Sequence, residues 1–170
     1  MVTKLYLAII FILAFLNTAF SNDDIGYKYY EKGLYDKAIE IWSKEIKQGN
    51  KEAMYNMGLL YYFGKGVDKD LSVAFTYCKQ AAFKGSARAQ NNLAYMYMKG
   101  MGTKKSYISA YAWSLIAIKN GYSSHGIRDN ASMNLTPGML SDANKLITKI
   151  NKEIRYEWFN WNKCWNNLFE

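Results

Sequence analysis

The sequence predicts an all-α protein, an α-solenoid of antiparallel helix hairpins closed by a long C-terminal helix. Three observations predict it. Residues 53–121 carry one unit twice, in register at a shift of 36 residues. Ala53 falls on Ala89, Tyr61 on Tyr97, Gly64 on Gly100, Gly66 on Gly102, Ala74 on Ala110, Ala81 on Ala117 and Gly85 on Gly121, without a gap. A fixed period of that size marks stacked repeats rather than a closed globule. Apolar residues also recur at spacings of three and four between cap residues and glycines, as amphipathic helices require. Finally, a single proline in 170 residues leaves long helices possible almost everywhere.

The first segment, 1–21, reads as a secretory signal peptide. Lys4 is its only charge, Leu5 to Leu16 is nearly all apolar, and Ala19-Phe20-Ser21 forms a small-x-small exit followed by Asp23 and Asp24. An apolar run of about 12 is too short for a bilayer span, which takes roughly 20 residues. Cleavage after Ser21 leaves 149 residues with no transmembrane span expected, in the periplasm or outside the cell. An uncleaved anchor is the alternative. In that oxidising space Cys78 and Cys164 form either one disulfide or two small buried apolar residues.

Residues 22–49 read as a helical hairpin: Asn22 to Lys32, a turn at Gly33, then Tyr35 to Lys47 with Ala38, Ile41, Trp42 and Ile46 on one face. The first copy, 50–85, opens on Asn50 as N-cap with Glu52 in the first turn. Ala53, Met57, Leu60 and Tyr61 make its buried stripe, and Gly64-Lys65-Gly66 stops the helix. Asp70 caps the next helix, whose inner face is Ala74, Tyr77 and Ala81 and which ends at Gly85. Small residues at Gly58, Ala74 and Ala81 let helices approach, while Tyr61 and Tyr77 fill the space between layers. The second copy, 86–121, keeps every role with new residues: Ser86 for Asn50, Ala94 for Gly58, Ser106 for Asp70, Trp113 for Tyr77.

The tail, 122–170, closes the array. Ser123 or Ser124 is expected to cap a short helix through His125, Ile127, Ala131 and Met133. Thr136-Pro137 then opens a long helix, since proline suits a first helical position. Its apolar positions run 143, 147, 150, 154, 158, 161, 165 and 168, with an irregular step between Ile154 and Trp158.

The two copies resemble the Sel-1-like repeat, a relative of the tetratricopeptide repeat. The likeness rests on Ala53, Met57-Gly58, Tyr61, Gly64-Lys65-Gly66-Val67, Asp70, Ala74, Tyr77, Ala81-Ala82 and Gly85; Thr103 and Ser106 depart from it in the second copy. The hairpin at 22–49 resembles a tetratricopeptide unit through Gly26, Tyr29, Gly33, Tyr35, Ala38 and Trp42. Arg128-Asp129, Met133, Leu135-Thr136-Pro137 and Ala143 look like the segment that closes such arrays. The resemblance implies a right-handed solenoid and an adaptor role.

No enzyme is expected. Some cysteine-rich relatives have been linked to penicillin binding, which needs a Ser-x-x-Lys pair; no Ser here has Lys three residues on, and Lys-Thr-Gly is absent. One His (His125) and two distant Cys make neither a Cys-His pair nor a zinc site, so no cofactor or metal is expected. Gly64-Lys65-Gly66 returns as Gly100-Met101-Gly102, a helix stop rather than a phosphate loop. Net charge is +8, but the lysines form no stripe, so nucleic acid is not the expected partner.

A protein or peptide partner is expected instead, in a concave groove made by the first helix of each hairpin. Counting by three and four from the packing stripe leaves Tyr55, Leu59 and Tyr62 in the first copy. Asn91, Tyr95 and Met98 are their equivalents in the second, and the N-terminal hairpin offers Tyr27 and Tyr30. Tyr and Met suit such a wall, combining large area, few rotatable bonds and adaptability. Packing between layers is the competing role for these tyrosines. A second reading is a structural component whose tail docks on a partner or self-associates through Trp158, Trp161 and Trp165. Against it stands a plain capping role for those tryptophans.

Overall fold

A computed structural model describes residues 25–123 and 125–166, with side chains through Tyr156. The segment read as a signal peptide and the side chains of Trp158, Trp161, Cys164 and Trp165 lie outside the described residues. Every described element is helical: α1 (Ile25–Glu31), α2 (Tyr35–Lys47), α3 (Lys51–Phe63), α4 (Leu71–Phe83), α5 (Ala87–Lys99), α6 (Tyr107–Lys119), α7 (Gly126–Ser132) and α8 (Pro137–Asn166). The chain forms two compact units divided inside α2, one reaching Ile41 and the other starting at Trp42.

In the first unit Gly33 takes a left-handed φ of 73°, closing α1 where a Cβ would be strained. Its amide donates to Tyr30 and that of Leu34 to Tyr29, which turns the chain into α2. Ala38, on the predicted face, is fully buried.

The second unit holds both copies, and their caps explain where the helices begin. Asn50 is extended, and its Oδ1 accepts from the amides of Glu52 and Ala53 at 2.9 and 3.2 Å. Asp70 accepts from Ser72 and Val73 at 2.8 and 3.0 Å. Ser86 and Ser106 each accept one amide, from Ala89 and Ser109, at 3.4 and 3.2 Å. At the far ends Gly64 and Gly100 adopt the left-handed conformation, and the amides of Lys65 and Met101 reach back to Leu60 and Met96.

Within this unit α3 packs on α4, α4 on α5, α5 on α6, and α6 on α7 and α8, with α8 also reaching α4. The core is a ladder of small residues, Ala74, Ala81, Ala82, Ala89 and Ala94, with Leu93, Trp113 and Ile116 filling the layers. Tyr61 stacks on Tyr77 at 5.9 Å, and Phe83 meets Trp113 edge-on at 5.0 Å, the two aromatic geometries that favour close packing. Thus the alanines set the helix spacing and the rings fill what remains. Residues 51–122 are the heart of an α-solenoid.

One detail of the tail differs from expectation. His125, not Ser123 or Ser124, occupies the N-cap of α7, and it makes no side-chain cap bond. Its backbone is already helical (φ −104°, ψ −11°), unlike the extended caps of α3 to α6. The long helix expected after Thr136-Pro137 is there: α8 runs unbroken from Pro137 to Asn166. Thr136 does accept from the Met139 amide, at 3.4 Å. Ala143 and Ile150 are buried, and Leu146, Ile147 and Ile154 lie against the core.

Candidate partner-binding groove

The site lies where the two copies meet. α3 and α5 form its walls and α4 its floor, around a cavity of about 220 Å³. Tyr55, Leu59, Tyr62 and Phe63 line it from α3; Asn92, Tyr95 and Met96 line it from α5; Ala74 and Cys78 underlie it. The local sequence explains the hollow. Tyr55, Leu59 and Tyr62 recur at four and three, hence on one face of α3, while the floor carries only small side chains. Gly58 lets α3 settle on α4, since a Cβ there would lie 3.3 Å from the Ala74 carbonyl and from Tyr77 Cβ.

Four predicted groove residues, Tyr55, Leu59, Tyr62 and Tyr95, therefore converge on one cavity. Two do not. Asn91 and Met98 are 8% exposed and face away from the cavity. Met98 packs with Ala110 of α6 and Ala131 of α7. The short helix α7 packs on this flank of α5, which makes Met98 interior. Asn91 Oδ1 is buried without a hydrogen-bond partner among the described residues. The residue sequence reasoning missed is its neighbour Asn92, together with Phe63 and Met96. Hydrophobicity gave no signal for Asn92, and only the exact rotation of α5 separates it from Asn91. Tyr27 and Tyr30 belong to the first unit, where they stack on each other at 5.8 Å; Tyr27 is 45% exposed.

Polar groups in the wall are few and defined. Asn92 Nδ2 donates to the Tyr55 hydroxyl at 3.0 Å, and the Arg88 guanidinium lies 5.5 Å over the Tyr55 ring. Arg88 also pairs with Glu52 at 2.7 Å, linking the first turns of α3 and α5. Burial, more than any neighbouring charge, raises the Tyr55 hydroxyl above the ordinary phenol range, so it stays a neutral donor. Tyr62 donates to Met101 Sδ at 3.5 Å, tying α3 to the loop after α5. Cys78 is a free buried thiol that donates to the Ala89 carbonyl at 3.2 Å, and burial pushes its pKa up to about 12. Such a thiol is no nucleophile. Among the described residues no cluster of His, Cys, Asp and Glu could hold a metal ion, and no helix is long and apolar enough to cross a membrane. The arrangement can hold an apolar group and offer it one or two hydrogen bonds.

Comparison with known proteins agrees with this geometry. The Sel1 repeat family matches residues 51–86 and 87–122. Mouse protein sel-1 homolog 2 is 42% identical over 73 residues, covering 42% of this chain and 11% of that protein. The Arabidopsis thaliana ERAD-associated E3 ubiquitin-protein ligase component HRD3B is 33% identical over 91 residues, 52% of this chain and 14% of that one. The chain thus spans about a tenth to a seventh of these relatives. Among solved structures, the protective antigen c5321 of uropathogenic Escherichia coli, which displays an SLR fold, superposes with a TM-score of 0.66 at 27% identity. That match covers 85% of this chain and 33% of the antigen. Sel1 repeats form a non-catalytic scaffold and mediate protein–protein interaction. With the 36-residue period, the glycine stops and the stacked hairpins, residues 51–122 are two tandem Sel1 repeats.

Proposed function

We propose that this protein is an extracytoplasmic adaptor without catalytic activity that holds a peptide segment of another protein at the junction of its two repeats. One observation carries the reading: Tyr55, Leu59, Tyr62 and Tyr95, chosen by helical spacing alone, surround a single cavity of about 220 Å³. Concave, mostly apolar hollows with a few convergent polar groups are the usual binding sites of proteins. Tyrosine is prominent among residues that anchor interfaces. The extracytoplasmic placement rests on the charged start, apolar run and small-x-small exit of residues 1–21. Mature protein recovered with its N-terminus at Asn22 from an envelope or culture fraction would support it; an intact Met1 in the cytoplasm would refute it.

The binding role is tested by selection from a phage-displayed peptide library. The native protein should enrich a family of related sequences, and a Tyr55→Ala/Tyr95→Ala variant of equal helicity should not. The same sequences emerging from both proteins would end the reading.

A further inference from the structure

The charge of this chain is concentrated in its repeats. Residues 50–122 contain ten Lys and Arg against three Asp and Glu, which supplies +7 of the chain's net +8. Two of those three carboxylates are occupied within the fold: Glu52 pairs with Arg88, and Asp70 caps α4. The ten cations are all exposed. Two of them flank the cavity. Arg88 lies over the Tyr55 ring at one end. Lys99 follows Tyr95 by four residues at the other, so both lie on the cavity side of α5 with Asn92 and Tyr95 between them.

Size restricts what enters. An apolar cavity of about 150 Å³ accommodates a benzene molecule, so the hollow of about 220 Å³ takes one large side chain and no more of a peptide. The wall supplies matching polar groups. With Asn92 Nδ2 donating to Tyr55, the Tyr55 hydroxyl hydrogen and Asn92 Oδ1 remain as one donor and one acceptor, which suits the peptide group next to an inserted side chain.

From these observations, and resting on the adaptor reading above, we infer that the partner segment is acidic and inserts one large apolar side chain, Leu or an aromatic, between α3 and α5. The inserted side chain displaces water from the Tyr55, Leu59, Tyr62 and Tyr95 surfaces. Flanking Asp or Glu residues meet Arg88 and Lys99, and the surplus of positive charge on the repeats speeds the encounter.

The test uses nine-residue synthetic peptides on the full chain, read by fluorescence anisotropy. Each peptide carries Leu, Phe or Ala at its centre and Asp/Glu, Ser/Gln or Lys on its flanks. Acidic peptides with Leu or Phe should bind. Replacing the centre by Ala, or filling the cavity with Leu59→Trp, should weaken binding about tenfold or more. Arg88→Gln/Lys99→Gln should weaken acidic peptides about threefold or more and leave neutral ones unaffected, and added salt should act in the same sense. Should Leu59→Trp fail to fold by circular dichroism, the Leu-to-Ala comparison on the native protein decides the same point. Neutral peptides binding as tightly as acidic ones would overturn the acidic partner while leaving the groove intact. Equal binding of Ala- and Leu-centred peptides would overturn the inserted anchor. Failure of every peptide, together with an empty phage selection, would end the adaptor reading beneath it. Single-stranded DNA or anionic vesicles that displace the peptide, and bind Leu59→Trp undiminished, would assign the positive charge to a polyanion and overturn the proposal.

Discussion

The two repeats obey one pattern and yet are stabilised differently. In the first copy, Asn50 and Asp70 each accept two first-turn amides; in the second, Ser86 and Ser106 each accept one. The second copy compensates inside. Trp113 is 3% exposed where its counterpart Tyr77 is half-buried. Gln90 is fully buried where the first copy has Met54, donating to the Ala82 carbonyl at 3.0 Å and accepting from Asn120 at 2.9 Å. That pair of bonds joins the end of the first copy to the end of the second. The comparison teaches that a repeat's residues acquire their roles from the neighbour they face. Tyr55 and Tyr62 face the open junction, whereas Asn91 and Met98, at the same register, are buried, Met98 against α6 and α7.

The loop after α5 offers the sharpest way to break this arrangement. Gly102 has φ 67°, and a Cβ on it would run into the Leu71 carbonyl at the start of α4. Gly102→Ala should therefore lower stability by more than about 3 kcal/mol in urea unfolding, combining backbone strain with displacement of the loop. Gly121→Ala, at φ 94° with nothing within 4 Å, should cost only about 1–2 kcal/mol. Equal effects would show that the loop does not clamp one copy to the other.

Trp113→Ala should cost about 3–5 kcal/mol as a buried cavity, and Tyr77→Ala about half of that, because Tyr77 keeps part of its ring in water. Next in size is Gln90→Met, which gives the second copy the first copy's residue. It removes both hydrogen bonds, leaving the Ala82 carbonyl with its Gly85 amide and the exposed Asn120 with water, and about 1 kcal/mol should be lost. A neutral result would mean that water replaces Gln90 without penalty.

A pH test separates the copies at Cys78, whose counterpart is Ser114. The thiol is held up near 12 by burial, against an ordinary value of 9.0. A raised thiol favours the neutral form, so the folded state gains nothing and loses nothing below about pH 8 from this group. As pH rises from 9.0 towards 12, the unfolded chain ionises first and stability falls. Cys78→Ser should remove that part of the alkaline decline while leaving the neutral range nearly flat in shape. Identical alkaline profiles would contradict the buried thiol. The smallest effect belongs to Gly58→Ala, which imitates Ala94. Helix propensity gains about 0.5–1 kcal/mol and a contact at 3.3 Å takes it back, so the unfolding midpoint should hardly move.

Much of this architecture is legible in the sequence because packing writes it there at fixed spacing. Asn50, Asp70, Ser86 and Ser106 occupy their predicted caps, and the alanine ladder and glycine stops stand where the period puts them. What is not legible depends on neighbours and on fine rotation. Asn91 and Met98 look like groove residues by register, yet both are buried, Met98 because α6 and α7 seat against it. Asn92 is one position from Asn91, a difference of about 100° around the helix. The cap of α7 escaped as well: His125 enters the helix with its backbone already helical, which composition does not record.

The central claim is that the junction between the copies takes a partner's side chain while the equivalent flank of the second copy is filled by the protein itself. Methionine methyl groups report on both places, since Met96 lines the cavity and Met98, two residues along α5, lies in the interior. The direct measurement is a titration of methyl-labelled protein with a Leu-centred acidic peptide, followed by NMR. The account predicts a saturating shift of the Met96 methyl, abolished by Leu59→Trp, with Met98 unmoved. Saturation that shifts Met98 and leaves Met96 in place would contradict it.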